Sequence, residues 1–291
     1  MAGTSHGRVV IVTGAGQGIG RAHAHAFAAD GAAVVVNDVG PAAQQVVDDI
    51  RAAGGTAVAS TGDVADWDYA AALVATALEE FGQLDALVNN AGLVRDRMLV
   101  NMAEAEWDEV LRVDLKGHFC PLRHAAAYWR DESKAGRQRA ARIVNTSSGA
   151  GLLGSVGQGN YSAAKAGVAA MTQVAAAELA RYGITVNAIA PAARTPMTEQ
   201  VFAATMAKPE DGFDAMDPAN VSPLVVWLAS EDSGDVSGRV FEVEGGIISP
   251  ADGWQHGPRE DKGERWSPAE IGPVVRRLLK EAPAPAPVYG A

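Results

Sequence analysis

Cysteine is nearly missing from this chain. Cys120 stands alone, so no disulfide can form within it, and a reducing compartment is the natural setting. Basic residues are also short, 24 Lys and Arg against 35 Asp and Glu, for a formal charge of −11. That balance disfavours nucleic acid and anionic membrane surfaces, since both are held by basic patches. No apolar run approaches the roughly 20 residues of a membrane span. The opening stretch MAGTSHGRVVIVTG lacks the basic segment and long apolar stretch of a secretory leader. A cytoplasmic protein that binds neither nucleic acid nor membrane is expected. Metal-ligand spacing is missing too. His23 and His25 are two apart on a helical pattern and do not face one ligand. His118 and His124 form no ligand pattern with Asp or Cys, so no metal is expected.

What the chain does have is apolar residues, 48% of the total, enough for a large core. Strand and helix patterns alternate along it. RVVIVT (8–13), AAVVVND (32–38), TAVAST (56–61), LDALVNN (84–90), ARIVNTSS (141–148), ITVNAIAP (184–191) and GRVFEVEGG (238–246) read as strands. Helical patterns lie between them at 19–30, 42–53, 66–81, 104–130, 160–182 and 217–230, with 131–140 an exposed loop. Alternation of this kind predicts an α/β fold: a single doubly wound Rossmann domain, with a seven-stranded parallel sheet and helices on both faces. The domain is expected over 1–248, with 197–216 as a substrate lid. Residues 249–291 are expected to be a C-terminal extension ending in a loosely held Pro/Ala-rich tail.

TGAGQGIG (13–20) joins the first strand to the first helix. Small residues there let the backbone approach a pyrophosphate, and the helix N-terminus supplies N–H donors. Asp38 ends the second strand, 18 residues after Gly20. A carboxylate at that place can accept both hydroxyls of an adenosine ribose and would repel a 2′-phosphate, which favours NAD over NADP. The same Asp could instead cap the turn before Gly40–Pro41. Asp63 could hold an adenine amino group or cap its own loop.

In YSAAK, Tyr161 and Lys165 lie four apart and share one helix face. A free phenol titrates near pH 10 and is a poor base at neutral pH. A neighbouring ammonium favours the phenolate. Ser148 lies 13 residues before Tyr161 at the end of a strand, where its hydroxyl could hold a substrate oxygen.

TGAGQGIG, NNAG (89–92), Ser148 and YSAAK together resemble the short-chain dehydrogenase/reductases in order and spacing, over about residues 8–248. The resemblance implies an NAD-dependent oxidoreductase acting on a secondary alcohol. Tyr161 would be the acid/base, Ser148 would polarise the oxygen, and Lys165 would tune Tyr161 and hold the nicotinamide ribose. The expected cofactor-binding set is Gly14, Gln17, Gly18, Ile19, Gly20, Asp38, Asp63, Val64, Asn90, Ala91, Gly92, Tyr161, Lys165, Pro191 and Thr195. Two departures stand out. The family's fourth catalytic residue is usually Asn, and here VDLKG puts Asp114 in that position. The family's PG after the sixth strand is Pro191–Ala192.

A narrower likeness carries a substrate expectation. NNAGLVRDRML, GQGNYSAAKAG and PLVVWLASE resemble the (3R)-hydroxyacyl-CoA dehydrogenase module of the peroxisomal multifunctional enzymes of type 2. An acyl-CoA of fatty-acid or steroid side-chain β-oxidation is therefore the implied small-molecule partner. The alternatives are a hydroxysteroid or general alcohol, or a non-catalytic NAD-binding role. Arg95 and Arg97 could steer a CoA phosphate, or pair with Asp96 and carboxylates on the Asp114 side. Val201, Phe202, Met206, Phe213 and Met216 could cover an acyl chain or anchor the lid. Trp254 and Trp266 are expected to pack on a partner subunit or the core. The resemblance also implies a homodimer or homotetramer, with the helices at 104–130 and 160–182 pairing between subunits.

Overall fold

The computed structural model describes residues 3–199, 206–251 and 253–290. Val201 and Phe202 of the expected lid lie outside them. In chain order the elements are β1 (Val9–Val12), α1 (Gly18–Ala29), β2 (Ala33–Asp38), α2 (Ala42–Ala52), β3 (Thr56–Thr61), α3 (Trp67–Phe81) and β4 (Ala86–Asn89). There follow α4 (Glu104–Val110), a π-helical turn (Leu111–Lys116), α5 (Gly117–Lys134), β5 (Arg142–Thr146), α6 (Gly149–Leu153), α7 (Gly159–Leu179) and β6 (Thr185–Ala192). The last are α8 (Pro196–Glu199), α9 (Ser222–Leu228), β7 (Val240–Glu244), β8 (Ile247–Ala251) and α10 (Pro268–Glu281).

The strands make one sheet in the order β3-β2-β1-β4-β5-β6-β7-β8. Seven are parallel, as the alternation predicts. β8 is an eighth, antiparallel to β7, with Glu244 opposite Ile247. It follows a two-residue Gly245–Gly246 hairpin, with Gly245 at φ 53°, a conformation that glycine adopts without steric cost. The β8 strand crosses the expected boundary at residue 248. The stretch expected as a loop at 131–140 is shorter, because α5 continues to Lys134.

Successive strand residues point to opposite faces, and the core divides accordingly. Val10 and Val12 pack with Phe27 of α1, Ile50 of α2 and Leu228 of α9. Val9 and Ile11 pack with Leu73 of α3, Trp129 of α5 and Ala176 of α7. Both faces of β1 are therefore buried, which is why its sequence is continuously apolar instead of alternating.

His23 on α1 is fully buried, and its Nδ1 lies 2.9 Å from Ser222 Oγ. Burial pushes its imidazole down to about 3, so it is neutral in the fold and charges only on unfolding. The stability from this neutrality is fully present above pH ~6.5, the unfolded value. It is lost as pH falls toward the folded value of about 3. Urea midpoints are expected to fall steadily on acidification across this window. His23→Asn, which can keep a bond to Ser222 without titrating, should show a shallower fall.

Candidate active site

The chain builds outward from β1 to β2 and β3, then crosses back to β4 beside β1. At such a reversal the loops after neighbouring strands diverge and leave a crevice at their carboxyl ends. Here the crevice is a cavity of about 530 Å³. Gly14, Gln17, Gly18 and Ile19 line it after β1, Asp38 after β2, Asp63 and Val64 after β3, and Asn90, Ala91 and Gly92 after β4. Asp114, Ser148, Tyr161, Lys165, Pro191 and Thr195 complete the wall. Of the expected catalytic and cofactor-binding residues, Gly20 alone is not on it. A Cβ on Gly20 would come within 2.3 Å of Gly14 O and 2.5 Å of Asn90 Nδ2. Gly20 lets α1 pack closely against the turn instead of meeting a ligand.

The glycine turn has the shape of a phosphate cradle. Gly18 sits at φ 55°, and a Cβ there would stand 3.3 Å from Thr195 Cγ2 across the crevice. Asn90 fixes the turn from β4, donating from Nδ2 to Thr13 O at 3.1 Å and Gly14 O at 3.2 Å. Asp38 takes the capping role expected for it. It lines the cavity, while its carboxylate accepts from Gly16 N at 2.9 Å and Gly40 N at 3.2 Å. Asp63 caps its own loop, accepting from Ala65 N at 2.9 Å, and also pairs with Arg112. Burial pushes its carboxyl up, but the Ala65 N–H and the Arg112 guanidinium together hold it below the usual value. The crevice thus has one acidic end and a backbone-lined middle, a donor set that fits a dinucleotide.

The other end carries the titratable groups. Asn160 fixes the first turn of α7, bonding Arg95 O and Glu106 O through Nδ2 at 3.1 Å each and accepting from Tyr161 N at 2.8 Å. Ser147 Oγ donates to Lys165 O at 2.8 Å, and Lys165 Nζ donates to Thr146 O at 3.0 Å. The end of β5 therefore aims the lysine, whose ammonium lies 5.6 Å from the Tyr161 ring centroid. Ser148 caps α6 by accepting from Ala150 N at 3.2 Å. Burial pushes the Tyr161 phenol up from its usual value, Lys165 and Ser148 pull it down, and Asp114 pushes it up again.

Asp114 lies in the π-helical turn, a kind of distortion that recurs at functional sites. It is fully buried, with Oδ1 3.3 Å from Lys165 Nζ, and Oδ2 accepts from Leu93 N at 3.0 Å. Burial pushes its carboxyl above the usual range, against the opposing pull of Lys165. Of the pairings expected for Arg95 and Arg97, those with carboxylates on the Asp114 side form, and the one with Asp96 does not. Arg95 forms a two-pronged pair with Glu109, and Arg97 pairs with Glu106 at 3.0 Å. Asp96 instead accepts from Gln158 Nε2 at 3.1 Å. Glu106 and Glu109 lie on or beside the site only because α4 folds back over α7, a contact that no local pattern reveals.

Asn37, Arg112, Thr146 and Gln158 also line the cavity. Asn37 and Thr146 lie at strand ends, and that position was their only signal. Trp254 is fully exposed and not on the core, while Lys262 Nζ sits 5.4 Å from the ring centroid of Trp266.

An open parallel sheet with this crevice, glycine turn and Tyr–Lys helix defines a nicotinamide-dependent oxidoreductase. The profile of the short chain dehydrogenase family matches residues 8–205, and the chain belongs to that family. It is 47% identical over 283 residues to hydroxyacyl-CoA dehydrogenase ChsB1 of Mycobacterium tuberculosis, covering 93% of this chain and 88% of that protein. It is 44% identical over 252 residues to peroxisomal multifunctional enzyme type 2 of Mus musculus, covering 83% of this chain and 32% of the mouse protein. The crystal structure of a short chain dehydrogenase from Mycobacterium avium superposes with a TM-score of 0.93 at 65% identity, covering 99% of this chain and all of that one.

Proposed function

We propose that the protein oxidises a (3R)-hydroxyacyl-CoA to the 3-ketoacyl-CoA with NAD, in fatty-acid or steroid side-chain β-oxidation. One observation carries the reaction type. Ser148, Tyr161 and Lys165 line the same cavity as the glycine turn and Asp38. A bound nicotinamide would supply the acceptor for the hydride that leaves the carbon bearing the hydroxyl. Ser148 Oγ holds the substrate oxygen, and the Tyr161 phenolate takes its proton. Lys165, held by Thr146 O, supplies the positive charge that favours the phenolate and donates to the ribose. The backbone around Gly14 and Gly18 would hold the pyrophosphate, Asp63 and Val64 the adenine, and Thr195 the nicotinamide amide.

NAD is the cofactor in this reading because Asp38 offers carboxylate oxygens where a 2′-phosphate would sit. The acyl-CoA assignment draws on the names of the relatives. It receives no support from Arg95 and Arg97, since Glu109 and Glu106 neutralise them. Their pairing favours a second reading, in which the substrate is an uncharged hydroxysteroid or other alcohol. The lid reading of 197–216 draws on Met197 and Thr198, which line the cavity. A homodimer or homotetramer is part of the proposal, supported by Phe119 on α5 and Val174 on α7, 44% and 56% exposed.

The test is NADH or NADPH formation with a panel of hydroxyacyl-CoAs, hydroxysteroids and simple secondary alcohols. The expected result is the highest kcat/KM with a hydroxyacyl-CoA and NAD. Asp38→Ala should narrow the NAD preference, chiefly through KM for the cofactor. Equal use of both cofactors by the wild type would remove Asp38 as the selector, and a hydroxysteroid turned over best would favour the second reading.

A further inference from the structure

The C-terminal tail returns to the site. Beyond α10 the chain runs to Val288–Gly290 and lies alongside Gly154–Val156, with a parallel bridge between Ser155 and Tyr289. Tyr289 N donates to Gly154 O at 3.2 Å, and Val156 N donates to Tyr289 O at 2.9 Å. Gly154–Val156 belong to the loop between Ser148 and Tyr161, so the tail is tied to the segment that links those two residues. The opposite side of the same loop is held by the rim, where Arg97 N donates to Gly157 O at 2.7 Å.

The tail also places a ring next to the reacting groups. A Cβ on Gly149 would stand 2.8 Å from Tyr289 Oη and 3.1 Å from its Cε2. Gly149 directly follows Ser148, so the phenol covers the backbone beside that hydroxyl. Burial and the nearby carboxylates of Glu242 and Glu244 push the Tyr289 phenol up. Tyr289 packs against the start of α6, one residue from Ser148, with 46% of its surface exposed. Val288 adds an apolar surface, 3.4 Å from where a Cβ on Gly154 would lie.

We propose that Val288–Gly290 is a strap over the Ser148 loop, and that Tyr289 is a specificity-determining residue forming the outer wall of the substrate side. The class of substrate it acts on is the bulky, apolar part of the secondary alcohol beyond the reacting carbon. This rests on the function proposed above. The strap is held by two backbone hydrogen bonds and one ring contact, so it can yield to a long substrate and close over it.

The test compares the full chain with a truncation lacking residues 284–291, Tyr289→Ala and Tyr289→Phe. The readouts are kcat/KM for long-chain against short-chain 3-hydroxyacyl-CoAs, the Kd for NAD, and hydrogen exchange at the Val156 amide. The truncation and Tyr289→Ala are expected to lower the long-to-short ratio on the order of tenfold, the scale on which an apolar wall discriminates. Tyr289→Phe keeps the ring and should restore the ratio. NAD binding should be unchanged, and the Val156 amide should exchange faster in the truncated chain. An unchanged ratio, or an unchanged Val156 amide on truncation, overturns the strap. If the wild type turns over no acyl-CoA, the proposed function falls, and the strap is judged by the same ratio for sterol against small alcohols.

Discussion

Tyr161→Phe is expected to lower kcat by about 10²–10⁴-fold, the range for loss of a positioned acid/base, with NAD binding largely intact. The separation follows from the structure. In the proposed reaction the phenol hydroxyl alone takes the proton. The helix turn beneath it is held by Asn160 and by the Tyr161 backbone N–H, which Phe retains. Lys165 keeps its bond to Thr146 O, so the proposed ribose donor stays in place. Steady-state rates and fluorescence titration with the cofactor read the two quantities separately. A residual kcat above about a hundredth of wild type would remove Tyr161 from the role of base.

Asp114→Ala should have the largest effect on stability, a loss of about 3–5 kcal/mol, as when one partner of a buried ion pair is removed. Lys165 is only 2% exposed, so water cannot replace the carboxylate. The Leu93 amide would lose its acceptor at the same time. The loss is to be read from denaturant midpoints near neutral pH, and a loss under about 1 kcal/mol would mean the pair contributes no more than a surface ion pair.

Asp114→Asn tests the chemistry without emptying the space. Activity is expected to stay within roughly tenfold, with the acid limb of the kcat/KM profile moving to lower pH. The sign follows from the charges. Asp114 pushes the Tyr161 phenol up, so a neutral residue lets the phenolate persist in more acidic solution. Movement of the limb to higher pH, or total loss of activity, would assign Asp114 a direct part in the reaction.

The resemblance, the glycine turn, Asp38 and the Tyr161–Lys165 pair were legible because each is a local signal: a strand end, a fixed spacing, a helix face. The α10 helix was also legible and went unread. Ser267 and Glu270 form a capping box, with Ser267 N donating to Glu270 Oε2 at 2.8 Å and Pro268 at the first position. The expectation of a C-terminal extension over 249–291 passed over that start signal. The β8 strand gave less to read, since it has five residues and includes Pro250, which an edge strand tolerates.

By itself the sequence determined the alternating order of strands and helices, and with it the side of the sheet on which a crevice must open. Burial periodicity and turn chemistry act over a few residues, and those are written in order along the chain. Tertiary structure alone decided who meets whom across the crevice. It decided that Arg95 and Arg97 pair with Glu109 and Glu106, and joined Asp114 to Lys165 across 51 positions of sequence. It made Gly20 a packing residue, and brought Tyr289 back to Gly149. Charge pairing and close packing depend on distance in space, and that distance exists only once the sheet order is set.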